Sequence, residues 1–297
     1  MIAKGSKSFS LASLLFSRRE RVASHHLYSW CRHCDDAIDE APSKEAARIS
    51  LKRLESETHA AFNGAVVHDP AFRGFQAFCR DYKVPAVYPL ELLEGMRMDL
   101  ESYAYRSQGD LELYCYRVAS VVGLMMVHAM GVSSERALPH AVATGLAMQM
   151  TNIARDLRED HQMGRVYIPD EWFLEVGLSP CRPTDPFDAE KFALVSRRLV
   201  READKNYVSG REGLKYLPLR AAFAVAAAQE IYREIGMVVL KRGSHAWDQR
   251  AVVSLPRKLW LLTKACTRLL PLAIKQLFSP WRRANLTDVY TPARLKG

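Results

Sequence analysis

Asp35-Asp36-Ala37-Ile38-Asp39 and Asp156-Leu157-Arg158-Glu159-Asp160 share one feature, an Asp-x-x-x-Asp spacing set inside a long helical pattern. On an α-helix, residues four apart differ by about 40° around the axis, so Asp35 with Asp39, and Asp156 with Asp160, each put two carboxylates on one face. Like charges held that close repel unless a hard cation sits between them. A donor set made only of oxygens suits Mg²⁺ or Mn²⁺, which in turn commonly carry phosphate oxygens. Two such helices facing each other point to an enzyme that handles a diphosphate.

The neighbours of each pair separate this reading from chance spacing. Asp185 and Asp188 bracket Pro186 and are expected only to start a helix. By contrast, residues 137–154 carry no Asp, Glu, Lys or Arg, yet the run contains Gln149 and Asn152. With Asp156 and Asp160 these form one polar stripe, stepping by three, four and four, on a helix otherwise too apolar for the surface. A polar stripe on a buried helix needs partners. Beside the first pair, Arg32 precedes Asp35 and Asp36 by three and four positions, and Tyr28 lies one turn further back.

The chain has 297 residues, of which 48% are hydrophobic, with no Pro/Gly/Ser linker and no internal repeat, so it reads as one domain. Strand-like alternation is nearly absent. Helical pattern runs over 18–40, 43–61 and 70–82, then in a long element after Pro89. Gly109-Asp110 opens a helix holding Tyr114, and Ser133 or Ser134 caps the one that carries the second pair and ends near Gly164. Further helices follow Pro169, the Asp185 to Asp188 segment and Pro218. The expected fold is an all-α bundle, in which facing helices build sites from inward-pointing side chains. Tyr114, Tyr28, Phe9 and Tyr232 are candidates to line its cavity with aromatic faces able to stabilise a carbocation.

The formal charge of +9 is uneven: residues 254–297 contain nine Lys or Arg against one Asp, so the body is nearly neutral. This segment places Leu255, Leu259, Leu262, Cys266 and Leu269 on one face and Arg257, Lys264, Arg268 and Lys275 on another, with a kink expected at Pro271. Such a basic amphipathic helix either lies on an anionic membrane surface or forms an outer helix with a basic solvent side. Its aromatics, Trp260 and Trp281, are too few for nucleic acid. Cys31-Arg32-His33-Cys34 lacks a second Cys/His pair, and the six cysteines read as reduced, packed thiols of a cytoplasmic protein. The N-terminal apolar stretch is too brief for a signal peptide, and the uncharged run 118–134 reads as a buried bundle helix.

Five stretches together resemble the squalene/phytoene synthase family over about residues 6–280. They are Ser6-Lys7-Ser8-Phe9; Tyr28-x-x-Cys31-Arg32-x-x-Asp35-Asp36-x-x-Asp39; Tyr114-Cys115-Tyr116-x-Val118-Ala119-x-x-Val122-Gly123; Gln149-x-x-Asn152-Ile153-x-Arg155-Asp156-x-x-Glu159-Asp160; and Gly164-Arg165-Val166-Tyr167-Ile168-Pro169. The resemblance implies a class I isoprenoid synthase bundle with a central cavity, a single head-to-head isoprenyl synthase domain over 1–297. It implies Asp35, Asp39, Asn152, Asp156 and Asp160 as ligands of Mg²⁺ or Mn²⁺. Arg32, Arg155, Lys7, Ser6 and Ser8 become diphosphate contacts, Tyr114, Gln149 and Tyr28 border the reacting carbons, and Phe9, Arg165 and Tyr167 complete the substrate-binding set. Ser120 stands where many relatives have Gly, which is expected to tighten helix packing or narrow the cavity, and Gly5 stands where some have His.

The implied reaction joins two geranylgeranyl diphosphates head to head, through prephytoene diphosphate, into phytoene. No Gly-x-Gly-x-x-Gly segment follows a strand, so NADPH is not expected. Farnesyl diphosphate as substrate, or a non-catalytic scaffold of the same fold, are the competing readings. The implied partners are the geranylgeranyl substrate, a peripheral membrane surface and other carotenoid-pathway enzymes, with no nucleic acid.

Overall fold

The computed structural model describes residues 16–279, 281–284, 286 and 289–295, and no strand occurs among them. Helix α1 (Arg18–Asp39) begins at a capping box: the Glu20 N–H donates to the Ser17 hydroxyl at 3.3 Å, and the Ser17 N–H donates to the Glu20 carboxylate at 2.7 Å. Ser43 caps α2 (Lys44–Phe62), and Asp69 followed by Pro70 starts α3 (Pro70–Tyr82). Then come α4 (Val87–Leu100), α5 (Gln108–Cys115), a π-helical turn (Tyr116–Ser120) and α6 (Val121–Met130), which stops at Gly131 with φ +71°. Ser134 caps a 3₁₀ turn (Glu135–Ala137) that leads into α7 (Leu138–Gln162). The chain continues through α8 (Asp170–Glu175), α9 (Ala189–Glu212), α10 (Leu219–Arg242) and α11 (Leu255–Phe278). Asp185 and Asp188 serve backbone alone, accepting from the Arg182 and Lys191 N–H groups at 2.7 and 3.0 Å.

Helix α7 is the centre of the bundle and packs on α6, α9, α10 and the π turn, while α1 packs on α2 and α3. Helix α6 touches both α1 and α7, so the two aspartate helices stand on opposite walls of one cavity. The continuous segment Gln108–Met130 is long and apolar enough to cross a membrane, but 67% of its apolar window is buried in the bundle. The π turn fits a tight crossing with α4, where a Cβ on Gly95 would come within 2.6 Å of Val118 Cγ1. Ser120 is fully buried and its hydroxyl donates to the Val142 carbonyl of α7 at 2.9 Å. It tightens helix packing, as expected, but is not part of the cavity wall.

The C-terminal helix departs from its expected orientation. Its packed residues are Leu261, Ala265 and Leu269, whereas Leu255, Leu259 and Cys266 face outward. The cause is charge: Arg257 bonds Glu234 at 2.8 Å, and Lys264 (3.0 Å) and Arg268 both reach the buried Glu230 of α10. Burial would raise the Glu230 carboxyl, yet these two cations hold it below its ordinary value. The basic flank is thereby turned toward α10 rather than left as a solvent face.

A Cβ on Gly145 would lie 2.4 Å from Ser120 Cα and 2.7 Å from its backbone nitrogen. Backbone cannot give way as a flexible side chain can. Gly145→Ala is therefore expected to cost about 1–3 kcal/mol through overpacking, read as a lowered urea midpoint at unchanged slope; an unaltered midpoint would show that α7 and the π turn are not in such contact.

Candidate active site

Between α1 and α7 lies a cavity of about 310 Å³. One end is polar: Tyr28 and Cys31 from α1, Gln149 and Asn152 from α7, and Tyr232 from α10. The rest is mostly hydrocarbon, including Val118, Val122, Met126 and Met148, with Ser24, Thr144 and His140 as the further polar side chains in the wall. The aspartates continue the same helix faces one turn beyond Cys31 and Asn152, outside the cavity lining, which sets the carboxylates beside its polar end.

The predicted site residues of α1 and α7 are placed as follows. Asp36 pairs with Arg32 at 2.7 Å, Asp39 with Arg165 at 3.1 Å, and buried Asp156 with Arg155 at 2.5 Å. Asn152 donates to the Gln149 side-chain oxygen at 3.3 Å. At this end four buried acceptor oxygens find no hydrogen-bond partner among the described residues: Asp35 Oδ2, Asn152 Oδ1 and both carboxylate oxygens of Asp160. Burial, reinforced by Asp156 and Asp99, drives the Asp160 carboxyl well above its ordinary value. Oxygen donors from a carboxylate–amide–carboxylate set, left unsatisfied away from water, fit a hard divalent cation. Asp39 and Asp156 are instead taken up by arginines. Among the described residues no three His, Cys, Asp or Glu side chains gather closely enough to hold one metal ion, so the ligands on α1 and α7 remain two separate sets.

Tyr114 is not in the cavity wall. It is buried, stacked on Tyr167 with ring centroids 4.6 Å apart, and its hydroxyl donates to Asp99 at 2.9 Å. Tyr167 reaches the other Asp99 oxygen at 2.9 Å. Burial raises the Asp99 carboxyl, against the pull of nearby Arg165. Tyr28 and Tyr232 do line the cavity, as expected. Ser6, Lys7, Ser8 and Phe9 lie outside the described residues.

Two participants were missed in the sequence. Arg250 bonds Asp156 at 3.0 Å and Glu159 at 2.8 Å, and it is set there by Trp247, whose indole N–H donates to the Ala154 carbonyl at 3.0 Å. Nothing in its local sequence marks it. Asp99 gave no distinct signal, being one of several charged residues in and beside α4 with Glu91, Glu94, Arg97 and Glu101. The cysteines are all free thiols; five are packed, and burial raises those of Cys31 and Cys34, whereas Cys266, expected to be packed, is exposed on α11.

Comparison with known proteins places this geometry. The family model described as squalene/phytoene synthase matches residues 2–257. A 15-cis-phytoene synthase of Pantoea ananas is 42% identical over 272 residues, covering 89% of this chain and 88% of the relative. One from Enterobacter agglomerans is 44% identical over 269 residues, covering 88% and 91%. Among solved structures, a dehydrosqualene synthase in complex with ligand superposes with a TM-score of 0.81 at 30% identity, covering 90% of this chain and 93% of that one. The bundle with its facing carboxylate helices is an all-α isoprenoid synthase fold. The chain belongs to the squalene/phytoene synthase family.

Burial, with Asp39 and Asp36 adding to it and Arg32 opposing, pushes the Asp35 carboxyl up to about 7. In the unfolded chain it titrates near its ordinary value of about 4. Between about pH 4 and pH 7 the unfolded chain has released a proton that the folded protein still holds, so stability falls as pH rises through that window. In metal-free protein the thermal midpoint of the wild type is expected to decline relative to that of Asp35→Asn over this range; parallel profiles would contradict the buried placement of Asp35.

Proposed function

We propose that this protein is a phytoene synthase, a prenyltransferase that condenses two geranylgeranyl diphosphates head to head through prephytoene diphosphate and works with Mg²⁺ or Mn²⁺. The observation that carries the reading is a mostly apolar cavity with carboxylates of two opposite helices one turn beyond its polar end. Along α7 the cavity runs from Asn152 to Ala137, which at 1.5 Å per residue is about 22 Å. That is the reach of four extended isoprene units rather than three, and it favours the geranylgeranyl over the farnesyl substrate.

Bound divalent cations would be held by Asp35 on α1 and by Asn152 and Asp160 on α7, with Asp39 and Asp156 joining when their arginines turn to substrate, and they would act as Lewis acids on the diphosphate leaving group. Arg32, Arg155, Arg165 and Arg250 already pair with carboxylates at this end. An incoming diphosphate offers each of them the same bidentate recognition, and their charge favours departure of its oxygen from C1. The faces of Tyr28 and Tyr232 attract the allylic cation by about 0.5–2 kcal/mol each. The hydrocarbon walls exclude water, which would otherwise capture the cation as an alcohol. With Tyr114 turned to Asp99, the departing diphosphate held by the arginines is the acceptor for the two protons lost on the way to product. The overall change, two C₂₀ chains to one C₄₀ chain with loss of two protons and two diphosphates, consumes no reductant. Because the product is a water-insoluble hydrocarbon, we place the enzyme at the periphery of a membrane.

The purified protein with Mg²⁺ is expected to convert geranylgeranyl diphosphate to phytoene. Turnover of farnesyl diphosphate alone would establish the shorter-chain reading suggested by the dehydrosqualene synthase likeness. Asp156→Asn should keep the wild-type circular dichroism spectrum and lower turnover roughly 10²–10³-fold, since each tenfold corresponds to about 1.4 kcal/mol of barrier. Full activity in that variant would remove the carboxylate set from the mechanism.

A further inference from the structure

The end of the cavity away from the carboxylates and the outward face of α11 meet at one residue. The Leu217 side chain forms part of the cavity wall together with Leu214, while its backbone carbonyl accepts from the Gln276 side-chain amide at 3.0 Å. The Gln276 oxygen in turn accepts from the Leu219 N–H at 3.0 Å, so one side chain of α11 clamps both sides of Pro218. A single turn of backbone therefore separates the far end of the cavity from the C-terminal half of α11.

That half of α11 presents apolar side chains to the outside. Leu270 is 57% exposed, Ile274 56%, Leu277 81% and Phe278 86%. At 100° per residue they fall within one arc of the helix, continuous with exposed Leu255 and Leu259. So large a run of exposed hydrophobes marks a surface meant to be covered. The charge beside it says by what. Helix α11 contains no Asp or Glu. Arg257, Lys264 and Arg268 are neutralised by α10, but Lys258, Lys275 and neighbouring Arg220 and Arg282 make no ion pair among the described residues. Apolar side chains bordered by unpaired cations complement the surface of an anionic bilayer.

We propose that the outward face of α11 docks on an anionic lipid bilayer, and that the hydrocarbon product leaves the cavity past Leu217, beneath the Gln276 clamp, directly into that bilayer. The proposal rests on the reading of the product as a long hydrocarbon. It gives the docking surface a purpose: the wall that must open is the wall held against lipid, so a C₄₀ chain never crosses water. The carboxylate end, at the opposite end of α7, stays clear for the charged substrate to enter from the aqueous side.

The test uses the full chain and vesicles of phosphatidylglycerol and phosphatidylcholine, compared with phosphatidylcholine alone. The wild type is expected to co-sediment with the anionic vesicles and not the neutral ones. The triple variant Leu270→Ser, Ile274→Ser, Leu277→Ser alters only exposed side chains; it should lose at least tenfold in vesicle partition. Its single-turnover product formation in detergent should equal that of the wild type, while its multiple-turnover rate with anionic vesicles should fall severalfold. A second variant, Gln276→Ala, should still sediment but release product to vesicles at an altered rate. Equal sedimentation of wild type and triple variant, or binding of the wild type to neither vesicle, would overturn the docking surface. Unaltered release in Gln276→Ala would overturn the exit route. Absence of product in single turnover by the wild type would instead strike the proposed reaction.

Discussion

The arrangement depends on carboxylates held away from water without enough cations of their own. Asp35 and Asp160 have buried oxygens that no other described residue satisfies, and Asp39, Asp156 and Asp99 disfavour their charged forms. An uncompensated buried carboxylate costs several kcal/mol, and a fold that keeps two of them is carrying a cost that a divalent cation with its diphosphate removes. Arginine covers part of the deficit. Arg32, Arg155, Arg165 and Arg250 each sit on a carboxylate of the site, so the same four side chains can pass from protein to substrate when diphosphate arrives.

Much of the remaining structure serves to keep those charges apart from the hydrocarbon. Helix α7 carries amides and acids on one stripe and mostly apolar residues elsewhere, and Gly145 lets the π turn approach so closely that Ser120 can bond across to Val142. Helix α6 separates the two acidic helices and supplies apolar wall between them. The result is a long, mostly apolar cavity with the charged groups beside one end, as a substrate with one charged end and one long hydrocarbon end requires.

The stripe on α7 was legible because residues 137–154 contain no charge, so Gln149 and Asn152 stand out against an apolar background. Caps and breakers such as Ser17, Asp69, Asp188 and Pro218 placed the helix starts for local reasons that sequence expresses directly. What was not legible depends on distant contacts. Arg250 reaches Asp156 only because Trp247 is pinned to the Ala154 carbonyl, and Tyr114 turns from the cavity because Asp99 and Tyr167 capture its hydroxyl. On α11 the pattern offers two apolar arcs, and only Glu230 and Glu234 of α10 decide which one packs.

The central claim is that acids on opposite walls act together on one cation-bound diphosphate. The most direct measurement is Mn²⁺ binding followed by electron paramagnetic resonance in the presence of inorganic diphosphate, on the wild type and on Asp35→Asn and Asp160→Asn. Saturable binding that weakens roughly tenfold or more, about 1.4 kcal/mol, in each variant, with thermal unfolding still cooperative, is the predicted result. Undiminished binding in either variant would mean that its wall takes no part, and would contradict the account.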